Sequence, residues 1–130
     1  MTKKEVVDYW VKTSDKDFKV MKSLFDVKHY TWALFVGHLV IEKLLKAYYV
    51  KTVDVKVPFI HDLTKIAGRT DLSLTEEQKD FLDLATTFNL RTRYSDYKLK
   101  FYKDCTRKYA ADNIKKMSEV RKWLKNQIKR

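Results

Sequence analysis

A chain of 130 residues is long enough to form one domain, expected to span 1–130, and to bury roughly two thirds of its unfolded surface without a metal or disulfide staple. Two glycines and one proline exclude an all-β fold, which needs turn residues every ten or so positions. The net charge of +11 leaves two readings open: anionic partners such as nucleic acid, nucleotides or an acidic protein face, or lysine-rich helix surfaces that only keep the protein in solution.

In chain order, Lys3 to about Leu24 places Val7, Val11, Phe18, Met21 and Phe25 at the three-and-four spacing of an amphipathic helix. Tyr30 to Val50 differs, because its apolar residues occupy every side of a helical wheel. A helix apolar all round is buried all round, which predicts a central helix and leaves room for contact with a second subunit. His38, Glu42 and Lys46 lie four apart on that helix and form its polar stripe. They either line a polar cleft or form a hydrogen-bonded set that orients the helix. Lys51 to Phe59 is a connector containing Pro58.

A short helix is expected from about His61 to Ala67, with Gly68 suited to its C-terminal cap. His61 and Asp62 are either an acid–base couple or a helix start, with Asp62 at the N-terminal dipole and His61 bonded to backbone. Thr75 to about Asn89 reads as a helix, since Thr75 and Gln78 have capping-box spacing and Phe81, Leu84, Ala85 and Phe88 form its inner face. Leu90 to Tyr97 has no apolar period and reads as a loop. From about Lys103 to Ile128 the last helix carries Ala110, Ile114, Met117, Val120, Leu124 and Ile128 on one side. Four long helices and one short one predict an all-α, up-and-down four-helix bundle with an additional short helix.

Arg91, Arg93, Tyr94 and Tyr97 are the candidate nucleotide- or RNA-binding residues. Arginine forks match phosphate geometry, tyrosine rings stack on bases, and Lys98 and Lys100 add charge. The alternative is that these arginines pair with Asp96 or with helix C-termini. The lone Cys105 cannot form an internal disulfide, lacks neighbours at metal-ligand spacing, and reads as a structural or surface thiol. No metal or cofactor is expected. No apolar run is long enough for a bilayer span, and MTKKEVVDYW lacks a signal-peptide core, so a cytoplasmic location without membrane contact is expected.

The stretch Tyr30-Thr31-Trp32-Ala33-Leu34-Phe35-Val36-Gly37-His38-Leu39-Val40-Ile41-Glu42-Lys43-Leu44-Leu45-Lys46-Ala47 resembles the second helix of HEPN domains (higher eukaryotes and prokaryotes nucleotide-binding). That helix reads as an aromatic and alanine, an apolar run, then Glu-Lys-x-x-Lys-Ala. Tyr9-Trp10 is similar to the family's opening, Ile60-His61-Asp62-Leu63 to its His-Asp-Leu segment, and Arg93-Tyr94-Ser95-Asp96 to its Arg-Tyr-Pro-like loop. The resemblance implies a helical bundle that forms a homodimer, often beside a minimal nucleotidyltransferase in a toxin–antitoxin pair. Some members are metal-independent ribonucleases with an arginine, four to six residues, then a histidine. Here no histidine follows Arg91 or Arg93, because His29, His38 and His61 all lie upstream. A carboxylate or phenol near Asp96 and Tyr97 does not replace imidazole as a proton carrier near neutral pH. The expectation is a non-catalytic dimer binding a nucleotide, RNA or a nucleotidyltransferase partner. The alternative is a metal-independent ribonuclease with an altered Arg/Tyr site.

Overall fold

A computed structural model describes the backbone of residues 1–130 and all side chains except those of Ser95 and Asp96. The fold is all-α, with helices α1 (Lys3–Asp26), α2 (Tyr30–Thr52), α3 (Leu63–Gly68), α4 (Glu76–Arg93), α5 (Ser95–Asp104) and α6 (Arg107–Lys129). Local chemistry sets most of these boundaries. Thr2 and Glu5 close a capping box on α1, and Thr75 and Gln78 close the expected one on α4. Thr106 caps α6 through Tyr109 N at 3.1 Å, and Asp62 caps α3 through Lys65 N at 3.1 Å. The chain turns from α1 into α2 through Lys28, whose φ of 69° is left-handed.

α2 is the axis, and α1, α3, α4, α5 and α6 all pack against it. Ala33, Leu34, Ile41, Leu44, Leu45, Ala47 and Val50 are fully buried on it. Most of the burial that its sequence demands is therefore met inside one chain, while Trp32 stays 42% exposed. Each such leucine or isoleucine contributes about 1.5–3 kcal/mol. Around it, Met21 from α1, Phe88 from α4, Phe101 from α5 and Met117 and Leu124 from α6 complete the core. α1 and α6 approach α2 closely at Gly37, where an added methyl group would run into the Met117 thioether and meet Met21 Sδ at 3.1 Å.

Three expectations are corrected. Leu90–Tyr97 is not a loop: α4 runs to Arg93, α5 begins at Ser95, and only Tyr94, extended at φ −101° and ψ 129°, separates them. Tertiary contacts hold the last turn of α4, with Thr92 Oγ1 donating to Thr31 O at 3.3 Å. In α5, Phe101 is the buried side chain among the described residues, so no apolar period exists to be read. The last helix accordingly starts at Arg107 rather than near Lys103. Gly68 is the last residue of α3 and not a left-handed cap, because no glycine has positive φ.

Candidate functional site

The polar stripe of α2 is closed to solvent, with His38 0%, Glu42 5% and Lys46 7% exposed. Glu42 uses both carboxylate oxygens. Its Oε1 accepts from His61 Nδ1 at 2.8 Å and its Oε2 from Lys46 Nζ at 3.2 Å. His38 Nε2 donates to the His61 carbonyl at 2.9 Å. The His61 ring therefore bonds a carboxylate rather than backbone, and it stays half exposed. These bonds tie the connector before α3 onto the middle of α2. Burial holds the His38 imidazole below its ordinary pKa of 6.5, against the hydrogen bond to His61 and the charge of Glu42. Its Nδ1 is buried with no partner, so His38 is neutral at physiological pH.

Arg91 and Arg93, two residues apart on α4, point to opposite sides. Arg91 is three-quarters covered: its guanidinium lies 4.4 Å from the Phe101 ring centroid, and one of its nitrogens is 3.7 Å from Asp104 Oδ2. Its charge also acts on Tyr109 of α6, working to lower the phenol's pKa against burial, so it faces both α5 and α6. Arg93 faces solvent. Its Nε donates to Asn89 O at 3.1 Å, and its guanidinium sits 5.5 Å from the Phe35 ring and 5.6 Å from the Tyr94 ring. The reading in which these arginines pair with Asp96 falls on a side chain outside the described residues.

From Arg93 the surface continues along α2. Phe35 meets Trp32 edge-on at 5.8 Å, and Lys98 Nζ lies 6.0 Å from the Trp32 ring. The result is a ladder of alternating cations and rings: Lys98, Trp32, Phe35, Arg93, Tyr94. Trp32 is 42% exposed and Tyr94 52%. Tyr97 is exposed on α5, joined to the ladder through its backbone N–H, which donates to Tyr94 O at 3.1 Å. Beside Trp32 and Lys98 opens a cavity of about 510 Å³ that Lys28, His29, Tyr102 and Cys105 help to line. The first turn of α2 helps to line it, and His29 supplies no side-chain cap there. Burial pushes the Cys105 thiol up to about 11, so it stays protonated and unreactive.

Trp32, Phe35 and the Lys28–His29 corner escape a reading of sequence alone. Within an all-apolar helix, nothing marks which residues remain uncovered. Among the described residues, no group of three or more His, Cys, Asp or Glu could hold a metal ion, and no helix is long and apolar enough to cross a membrane.

The domain is all-helical, and one exposed stretch of its surface alternates aromatic rings with cations. The HEPN domain family model matches residues 7–127, and the chain belongs to that family. No curated protein and no solved structure matches it.

Proposed function

We propose that this HEPN domain binds a base-bearing anion, single-stranded RNA or a nucleotide, on the Lys98–Trp32–Phe35–Arg93–Tyr94 ladder, and does not cleave it. The observation that carries the reading is Arg93. Its guanidinium is exposed between two rings, and among the described residues its side-chain hydrogen bond runs from Nε to a backbone carbonyl. Such a group offers a phosphate fork framed by faces on which bases stack. The adjoining cavity and the first turn of α2 that helps to line it add room for a base and a seat for a phosphate. The absence of cleavage rests on proton chemistry. No imidazole follows either arginine, His38 is buried and neutral, and the His61 ring is held by Glu42.

The neighbouring helix α5 bears exposed apolar side chains, including Tyr97 at 49% and Leu99 at 66%. This supports a homodimer that brings two ladders together. A minimal nucleotidyltransferase partner in a toxin–antitoxin pair is the setting that family membership suggests. A neighbouring nucleotidyltransferase reading frame that co-purifies with the protein is the expected support for it.

The deciding experiment is fluorescence anisotropy with a labelled RNA oligonucleotide. Arg93→Ala should weaken binding and lower the slope of log affinity against log salt by about 0.7 for one phosphate lost. Arg91→Ala should lower stability and leave that slope unchanged. Equal slopes for both variants would refute the assignment. RNA cleavage that tracks with the purified protein and disappears in Arg93→Ala would favour the altered-site ribonuclease instead.

A further inference from the structure

Away from the ladder, α1 and α6 each pack on α2 and leave between their ends a groove of about 670 Å³. Its floor is aliphatic: Val7 and Val11 from α1 and Ile128 from α6. Its rim is cationic. Lys51 is engaged, donating to the Gln127 and Ile128 carbonyls at 3.2 and 2.7 Å, and Lys125 is engaged by Asp15 at 2.8 Å. Lys3, Lys4 and Lys129 make no ion pair among the described residues. Asp8 is the lone carboxylate lining the groove. Three ammonium groups thus stand unneutralised around three half-buried aliphatic side chains.

We propose that this groove seats an acidic amphipathic helix of a partner protein. The helix would lay an apolar stripe on Val7, Val11 and Ile128 and set flanking carboxylates against Lys3, Lys4 and Lys129. Charge complementarity selects the sign of the occupant. Shape selects a helix: the floor runs along α1 from Lys3 to Val11, about 12 Å at 1.5 Å per residue, or two helical turns. It lies between two helices that a third can bridge by ridge-into-groove packing. The floor has no ring on which a nucleobase could stack, unlike the Trp32 face, so a protein fits it better than a nucleic acid. Asp8 leaves a place for one lysine or arginine on the incoming helix.

The test uses the full chain and a labelled 18-residue synthetic peptide with leucines at i, i+3, i+4 and i+7 flanked by glutamates. The expected result is saturable binding that a scrambled peptide of the same composition does not reproduce. The Lys3→Glu/Lys4→Glu double variant should weaken binding roughly tenfold, and so should Val7→Asp, while Arg93→Ala leaves it unchanged. Acidic residues in the first turn of α1 suit its N-terminal dipole, so the double variant is expected to fold. The scrambled-peptide comparison needs no variant at all. Equal binding of the scrambled peptide would reduce the groove to diffuse attraction and overturn the proposal. So would displacement of the peptide by an RNA oligonucleotide. A smaller oligomer for the double variant than for the parent would assign the groove to a second copy of this chain and also overturn it.

Discussion

Two stretches of α2 reverse the usual placement of polar and apolar side chains, in opposite directions. At its middle, His38, Glu42 and Lys46 are buried, and the ion pair and hydrogen bonds among them and His61 stay inside the protein. One turn earlier, Trp32 and Phe35 lie at or near the surface beside Arg93 and Lys98. Buried polar groups that find partners cost little and fix geometry, whereas rings left partly exposed next to cations gain less from folding and keep a face open to solvent. The contrast supports a division in which the stripe fixes the architecture and the proposed ladder is left open for a ligand.

The sharpest way to break this division is Glu42→Ala. It strips the partner from Lys46, which is 7% exposed, and frees the His61 ring. Leaving a buried charge unpaired costs about 3–5 kcal/mol, and urea denaturation should register that loss. RNA affinity per folded molecule should not change, and a matched loss of affinity would mean that the stripe belongs to the binding site. Trp32→Ala is the converse. It should remove about 1–3 kcal/mol of RNA binding, the value of one stacked base, with little change in the denaturation midpoint. A stability loss without an affinity loss would make Trp32 a packing residue.

Gly37→Ala probes the junction between the two stretches. The methyl group forces the Met117 side chain to move. Overpacking costs about 1–3 kcal/mol, and alanine's better helix propensity returns about 1 kcal/mol of it. A small net destabilisation is expected, relieved when Met117→Ala is added. A Gly37→Ala variant more stable than the parent would show that the helices are not in close contact there.

The smallest effect is on pH dependence. The unfolded chain takes up a proton at His38 below its ordinary pKa of 6.5, whereas burial makes the folded chain resist it. Stability should therefore fall as pH drops below that value, by at most about 1.4 kcal/mol per pH unit. Thermal melts between pH 7 and 5 should show this slope, and His38→Gln should flatten it. An unchanged slope in the variant would place the titration elsewhere. Asp15 acts in a lower window. Burial works to raise its carboxyl, but Lys125 and Arg121 outweigh it and hold it below 3.8, so its contribution is lost only under stronger acid.

Much of the fold was legible because it rests on local or one-dimensional signals. The Thr75–Gln78 capping box started α4 where its spacing placed it, and the all-apolar run of Tyr30–Val50 marked the central helix. α5 was not legible, because a helix that buries Phe101 and little else carries no period. The candidate site was half legible. Arg91 and Arg93 were found together, yet at about 100° per residue they sit some 200° apart around α4. Sequence cannot say which of two opposed directions is inward until α5 and α6 have been placed.

By itself, then, the sequence determined an all-helical chain with a central α2, the capped start of α4, and a cationic surface. Periodicity, capping and charge act over a few residues and do not depend on the rest of the fold. Only tertiary structure decided that Arg91 packs while Arg93 faces solvent, that His61 bonds Glu42 across 19 residues, and that Trp32 and Phe35 stand beside them. Those outcomes depend on which helix covers which face, a property of the packed chain that no single segment encodes.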